Sequence, residues 1–279
     1  MVVSLLVVVI RGITYNFEMK YNERLDDLFS RWMESLDETQ KPLFCKDGLM
    51  LKADKPVEYV DERWDNATRR VMFLLKDKNT PDGNDTRLWL IDEQNGANNR
   101  RLSGGKVGKT GFLPNIARML YGLLELGPDY RITFDEVKRT KRDKVRMIWN
   151  TEPFAFIESK KLAGYSWVSS KAVAKAMLKD EAFLNEEIDI LRPNIIVCCD
   201  ADDSQFNYIT HNYLAGRETE KIEYDYPDAK MKPCCLWYYP KEHIAVIKSY
   251  HPSRIGKADW MIFERVISPF HELVKRGIF

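Results

Sequence analysis

Histidine is scarce in this 279-residue chain, with four in all, and net charge is almost absent, with 43 Lys and Arg against 42 Asp and Glu. That balance removes any whole-surface attraction to a polyanion, so a nucleic-acid contact must come from a local patch. Long apolar runs are missing too. Residues 2–10 are apolar apart from Ser4, too short a stretch to span a bilayer. The stretch has neither a basic leading region nor a small-residue cleavage site, so no export is expected and the chain reads as cytoplasmic. It is either an added edge strand or sequence upstream of a true start at Met19. Cysteine is few and odd in number, five, with two adjacent pairs, Cys198-Cys199 and Cys234-Cys235, and no CxxC. Adjacent cysteines in apolar runs fit buried thiols in a reducing compartment rather than a disulfide framework. A zinc or iron–sulfur site would need an unusual cluster of both pairs, and no cofactor is expected. A P-loop is lacking as well. Gly108-Lys109-Thr110 ends like one, but position 103 holds Ser where the motif requires Gly, and no buried strand leads into it.

What is present is a regular alternation of apolar runs and helical periodicity. Residues 70–75, 154–157, 194–199 and 243–247 read as buried strands, and residues 235–239 as a further strand pairing with the last one at an edge. Between them, residues 113–124 and 171–191 carry apolar spacings of three and four, and a closing helix spans about 258–274. Strands alternating with helices predict an α/β fold, a three-layer sandwich with a central, mostly parallel four-stranded sheet. The organisation expected is an N-terminal extension over 1–45, with a helix at about 20–37, followed by one domain over 46–279, in a monomer.

Ligands of such sheets bind beyond the carboxyl ends of the strands. The first strand runs into Lys76-Asp77-Lys78-Asn79, the second into Glu158-Ser159-Lys160-Lys161, the third into Asp200, and the fourth into Ser249-Tyr250-His251-Pro252-Ser253-Arg254. A carboxylate from the first and the imidazole of the last therefore converge on one cleft. Two basic stretches are candidate phosphate contacts: the one holding Lys106 and Lys109, and residues 138–146, with six cations and one acid in nine residues.

These residues, in this order from Arg70 to the C-terminus, resemble the uracil-DNA glycosylase superfamily. His251-Pro252-Ser253 matches the family's last-strand motif. Arg70-Val71-Met72-Phe73-Leu74-Leu75-Lys76-Asp77 is similar to its first strand and water-positioning loop. Phe112-Leu113-Pro114-Asn115-Ile116 is similar to its Pro-Ser-Leu helix, and Leu191-Arg192-Pro193-Asn194-Ile195 to the lead into its third strand. The first loop differs, with Lys76 and Lys78 where the family has Gly before and Pro after the acidic residue, so Asp77 or Asn79 takes the water-positioning role. Glu158 stands where many members read uracil with Asn.

The resemblance implies a DNA glycosylase acting in base-excision repair on a damaged or deaminated base. Asp77 or Asn79 would orient the attacking water and face the sugar cation, and His251 would donate to the base oxygen. Lys76, Phe112 and Glu158 would contact the substrate, Phe112 by stacking. Ser253 and Arg254 would hold neighbouring phosphates, Ile255 would wedge into the duplex as the base flips out, and Lys106 and Lys109 would bind DNA. Bland roles stand beside these: Asp77 paired with Lys76 or Lys78, Glu158 with Lys160 or Lys161, and Ile255 in the core. An alternative on the same fold is a catalytically inactive nucleic-acid or nucleotide-binding module.

Overall fold

Alternation along the strands builds the core. The computed structural model describes residues 5–10, 13–18, 20–91, 111–164, 168–200, 202–226, 231, 233–253 and 256–279. Its main sheet is ordered β3 (Gly48–Leu49), β5 (Ala155–Gly164), β4 (Val71–Asn79), β6 (Ile195–Cys198), β9 (Ile244–Lys248), β8 (Cys234–Tyr239) and β7 (Glu220–Tyr224). In β4, Val71, Phe73 and Leu75 enter one apolar cluster while Met72 and Leu74 enter the other. β6 and β9 divide the same way, so the sheet is buried on both faces.

One face is covered by α1 (Tyr21–Glu34), α2 (Val57–Asp65), α6 (Ser170–Lys179), α7 (Glu181–Leu191) and α8 (Ser204–Tyr208), which join the cluster containing Met72 and Leu74. The other is covered by α3 (Phe112–Glu125), α4 (Phe134–Lys138), α5 (Arg142–Thr151) and α9 (Asp259–Lys275). Close approach of α3 to α9 requires Gly122, where an added Cβ would lie 2.5 Å from Ile267. Among the described residues, no helix is long and apolar enough to cross a membrane.

The α/β architecture agrees with the sequence reading, but the sheet has seven strands and is mixed rather than four-stranded. β5, β4, β6 and β9 pair in parallel, whereas β3, β8 and β7 add antiparallel edges. β3 has too few residues to leave a period-two pattern, and β7 is largely charged. The further strand expected at residues 235–239 is β8, which pairs with β9 as expected but is not at the edge, since β7 lies outside it. Residues 171–191 form two helices, not one, broken at Asp180 (φ −104°, ψ 21°), a residue type that competes poorly for helix interiors.

The N-terminal segment also differs. β1 (Leu5–Ile10) and β2 (Ile13–Glu18) form a separate antiparallel hairpin instead of adding an edge strand. α1 belongs to the core rather than to an extension. Leu25, Leu28, Phe29 and Trp32 are all buried in it, each contributing roughly 1.5–3 kcal/mol.

β4 and β5 continue well past their apolar segments because polar side chains satisfy each other there. Lys161 Nζ lies 2.5 Å from Asp47 Oδ1 and 2.7 Å from Glu187 Oε2, with all three side chains shut off from solvent. This triad ties β5 to the segment before β3 and to α7. Cys45, Cys198 and Cys199 are buried free thiols, as expected, and burial pushes Cys45 up to about 11.

Breaking the triad at its cation leaves two buried acids without a counter-charge. Lys161→Met is therefore expected to lower stability by about 3–5 kcal/mol in urea unfolding, with part of the loss restored when Glu187 is also made apolar and Asp47 made Asn, which keeps an acceptor for the Glu158 N–H. A cost below about 1 kcal/mol would show the triad to be dispensable.

Candidate active site at the carboxyl edge of the sheet

The last parallel strand delivers the histidine. Beyond β9 the ladder continues for one bond, Ser249 N–H to Cys198 O at 3.0 Å, after which the chain turns through Tyr250 into His251-Pro252-Ser253. α3 clamps this turn. Asn115 Nδ2 donates to Pro252 O at 2.9 Å and to Asp259 Oδ1 at 3.0 Å, while Arg118 donates to Asn115 Oδ1 at 3.0 Å. Asn115 was legible only as part of a similar motif; its role needed the fold.

Ser253 sets the state of the imidazole. Its backbone N–H donates to His251 Nδ1 at 3.2 Å, and its hydroxyl is 2.9 Å from the same atom. A backbone N–H can only donate, so Nδ1 is an acceptor and the neutral ring carries its proton on Nε2. Burial, then the nearby Lys76 charge, pushes the group down to about 4, so it is neutral at physiological pH. Ser253, expected on a phosphate, thus holds His251.

An aromatic row flanks the ring. Phe112 lies 5.7 Å from His251 between ring centroids, at 32°, and Trp89 lies 6.3 Å from Phe112. Lys78 Nζ stands 4.3 Å from the Trp89 centroid. Trp89, in the short 3-10 turn Thr86–Leu90, is the member the sequence reading missed, because nothing local signals that this turn returns to the cleft.

The carboxylates lie inside strands, not in loops as expected. β4 extends to Asn79, so Lys76, Asp77 and Lys78 are strand residues, and Asp77 is registered against Lys160. Asn79 ends the strand opposite Gly164, after a shift in register. Asp77 forms an ion pair with Lys160 rather than with Lys76 or Lys78. Lys160 Nζ donates to Asp77 Oδ2 at 3.5 Å, and Gly164 leaves space beside that oxygen, where an added Cβ would sit 3.0 Å away. Burial raises the Asp77 carboxyl above its ordinary range, against the pull of Lys160 and Lys76. Lys76 Nζ donates to Ser170 Oγ at 3.1 Å and pairs with Asp202 at 3.9 Å. That pair borders a 570 Å³ groove lined by Ser170, Asp202, Ser204 and Asn207.

Glu158 is the most perturbed carboxyl at this edge. It is 4 % exposed, and Oε2 is enclosed without a hydrogen bond. Register against Leu75 puts it on the same sheet face as Asp77 and the Phe112 helix. It pairs with neither Lys160 nor Lys161, which are taken by Asp77 and by Asp47 with Glu187. Burial first, then the Asp47 charge, pushes it up to about 8, with Lys78 and Lys161 opposing and Asp77 adding. Asp200, buried at the end of β6, accepts from Ser204 Oγ at 2.7 Å and from Gln205 N–H at 2.9 Å, starting α8.

The structure thus gathers Lys76, Asp77, Asn79, Phe112, Glu158, His251 and Ser253 at one sheet edge. Lys106, Lys109, Arg254 and Ile255 lie outside the described residues. Among the described residues, no cluster of three or more His, Cys, Asp or Glu is arranged to hold a metal. What the arrangement offers is a neutral N–H donor, an ionisable carboxyl, a second carboxyl held in its acid form and an aromatic wall.

The imidazole state is directly measurable. Long-range proton–nitrogen NMR spectra are expected to show His251 protonated on Nε2 alone and untitrated from pH 8 to 5; a midpoint near the ordinary value of about 6.5 would contradict its enclosure.

In sequence comparisons, no protein-family model matches the chain, and neither does any curated protein.

Proposed function

We propose that this protein is a DNA glycosylase-type hydrolase of the uracil-DNA glycosylase kind, cleaving the N-glycosidic bond of a damaged or deaminated base in DNA repair. The observation that carries the reading is His251. It is a neutral imidazole with its proton on Nε2, set after the last of four parallel strands and beside Phe112. The His251-Pro252-Ser253 resemblance implies a histidine donor at that place, after the last strand.

In this reading the C1′–N bond breaks with its electron pair leaving on the base, and a water oxygen bonds to C1′. Asp77 orients that water, accepts its proton and faces the sugar cation; Asn79 is the other candidate for holding the water. His251 donates from Nε2 to the base oxygen where charge collects, a contribution of about 3 kcal/mol at comparable sites. Phe112, extended by Trp89, supplies a stacking wall for a flipped base. Glu158, as a neutral acid, offers one O–H donor and one carbonyl acceptor, the same pair of functions an Asn side chain presents. A carboxyl can therefore read a base edge in place of the family's amide.

Lys160 supports a second reading. A cation held on Asp77 occupies the carboxylate that would hold water, as suits a catalytically inactive nucleic-acid or nucleotide-binding module. Oligonucleotides carrying uracil, hypoxanthine, xanthine or an oxidised pyrimidine separate the two readings by abasic-site formation. Excision by the wild type, reduced about 10²–10³-fold in His251→Ala and about 10²–10⁴-fold in Asp77→Asn with binding retained, is the expected result. Binding with silence on every substrate would establish the module instead.

The pH profile has a defined sign. Glu158 reads the base only when protonated, so kcat/KM is expected to fall as pH rises through about 8. Asp77 must be ionised, so its raised carboxyl sets a fall on the acid side. Glu158→Gln, which keeps a donor and an acceptor and does not titrate, is expected to remove the alkaline fall. An alkaline limb unchanged in that variant would take Glu158 out of base recognition.

A further inference from the structure

Four cations at the carboxyl edge of the sheet are each met by an acid: Lys76 by Asp202, Lys160 by Asp77, Lys248 by Asp203, Arg118 by Asp259. Lys78 is met by Thr86 and the Trp89 ring instead, and Arg265 and Lys257 share the Tyr250 ring with no ion pair among the described residues. Arg265, in α9, is 6 % exposed, and its Nε is enclosed without a hydrogen bond. Its guanidinium carbon lies 4.5 Å from the Tyr250 ring centroid, and its one hydrogen bond, to the Tyr250 hydroxyl, is long at 3.4 Å. Lys257 Nζ lies 5.0 Å from the same centroid. The acids nearest in sequence are committed elsewhere: Glu264 to Arg131 and Ser268, Asp259 to Asn115 and Arg118.

A guanidinium taken out of water without a counter-charge is costly, and an aromatic face returns only part of that cost. Two such cations sharing one ring leave a concentrated positive charge with no anion among the described residues paired to it. We infer that Tyr250, Lys257 and Arg265 form an oxyanion site that takes a phosphate group, specifically a nucleic-acid phosphodiester next to the nucleotide held at His251. Tyr250 directly precedes His251, so the two belong to one turn of the chain. Guanidinium geometry fits two phosphate oxygens at once, and the ammonium adds a point charge. The anion site follows from the uncompensated charges alone, whereas its assignment to a backbone phosphate rests on the proposed function.

The test is fluorescence-anisotropy titration of a single-stranded oligonucleotide carrying an abasic-site analogue, with wild type, Arg265→Met and Lys257→Met. Each variant is expected to bind about 10-fold more weakly, with the salt slope reduced by about one. A neutral methylphosphonate at one linkage beside the abasic position should weaken the wild type by a similar factor and the variants no further. Lys257→Met, in a half-buried turn, keeps the test open if Arg265→Met does not fold. A second arm compares melting in inorganic phosphate and in chloride at matched ionic strength. Stabilisation by phosphate in wild type alone, without any variant effect on oligonucleotide binding, keeps the anion site and assigns it to free phosphate.

Variants indistinguishable from wild type in both arms overturn the site, even where excision is observed. Loss of oligonucleotide binding in the variants, in a protein that excises nothing, removes the glycosylase reading and leaves the site standing.

Discussion

Asp47 is the charge on which the candidate site depends. One of its oxygens neutralises the buried Lys161, and the other accepts the backbone N–H of Glu158 at 2.6 Å. The same carboxylate thus pins β5 in place and sets a negative field beside the Glu158 side chain. Without Asp47, Lys161 would have Glu187 as its one counter-charge, and Glu158 would lose both a backbone anchor and the largest repulsion to its ionised form. Fold stability and the protonation state of the cleft are coupled through one residue, since burial strengthens every charge interaction around it.

The histidine is controlled by a different kind of constraint. Its position comes from α3, through Asn115 on Pro252, and its tautomer comes from Ser253, two residues along the same turn. Both partners are uncharged and hold the loop by hydrogen bonds alone. A carboxylate at Nδ1 would stabilise the imidazolium and raise its pKa; a backbone N–H at that atom does the opposite. The loop is therefore built for a donor that stays neutral and is never a reservoir of positive charge.

The parallel part of the fold was legible because each central strand is apolar on both faces, a pattern that survives without tertiary information. Where burial is polar the pattern fails. Asp77, Glu158 and Lys161 look like loop residues in sequence, yet they lie in strands because their partners, Lys160, Asp47 and Glu187, arrive from other elements. Trp89 was missed for the same reason, its neighbours Phe112 and Lys78 being distant along the chain or on another element. His251-Pro252-Ser253 was readable because its geometry is local: the group that fixes the ring is two residues away.

Two carboxyls on one face of the sheet are driven to different states by what surrounds them. Burial raises both. Asp77, however, has Lys160 in contact and Lys76 nearby, whereas Glu158 faces the Asp47 charge and leaves one oxygen without a hydrogen bond. The surroundings therefore drive the pair apart: Glu158 is pushed up to about 8 and is an acid at neutral pH, while cations hold Asp77 back. Separation of that kind is how a site obtains a base and a hydrogen-bond donor from the same functional group. Each also favours the other's state, because the charge on Asp77 adds to the force keeping Glu158 protonated. Under the proposed reaction, a developing sugar cation that displaced Lys160 from Asp77 would substitute one positive partner for another and leave the division of roles intact.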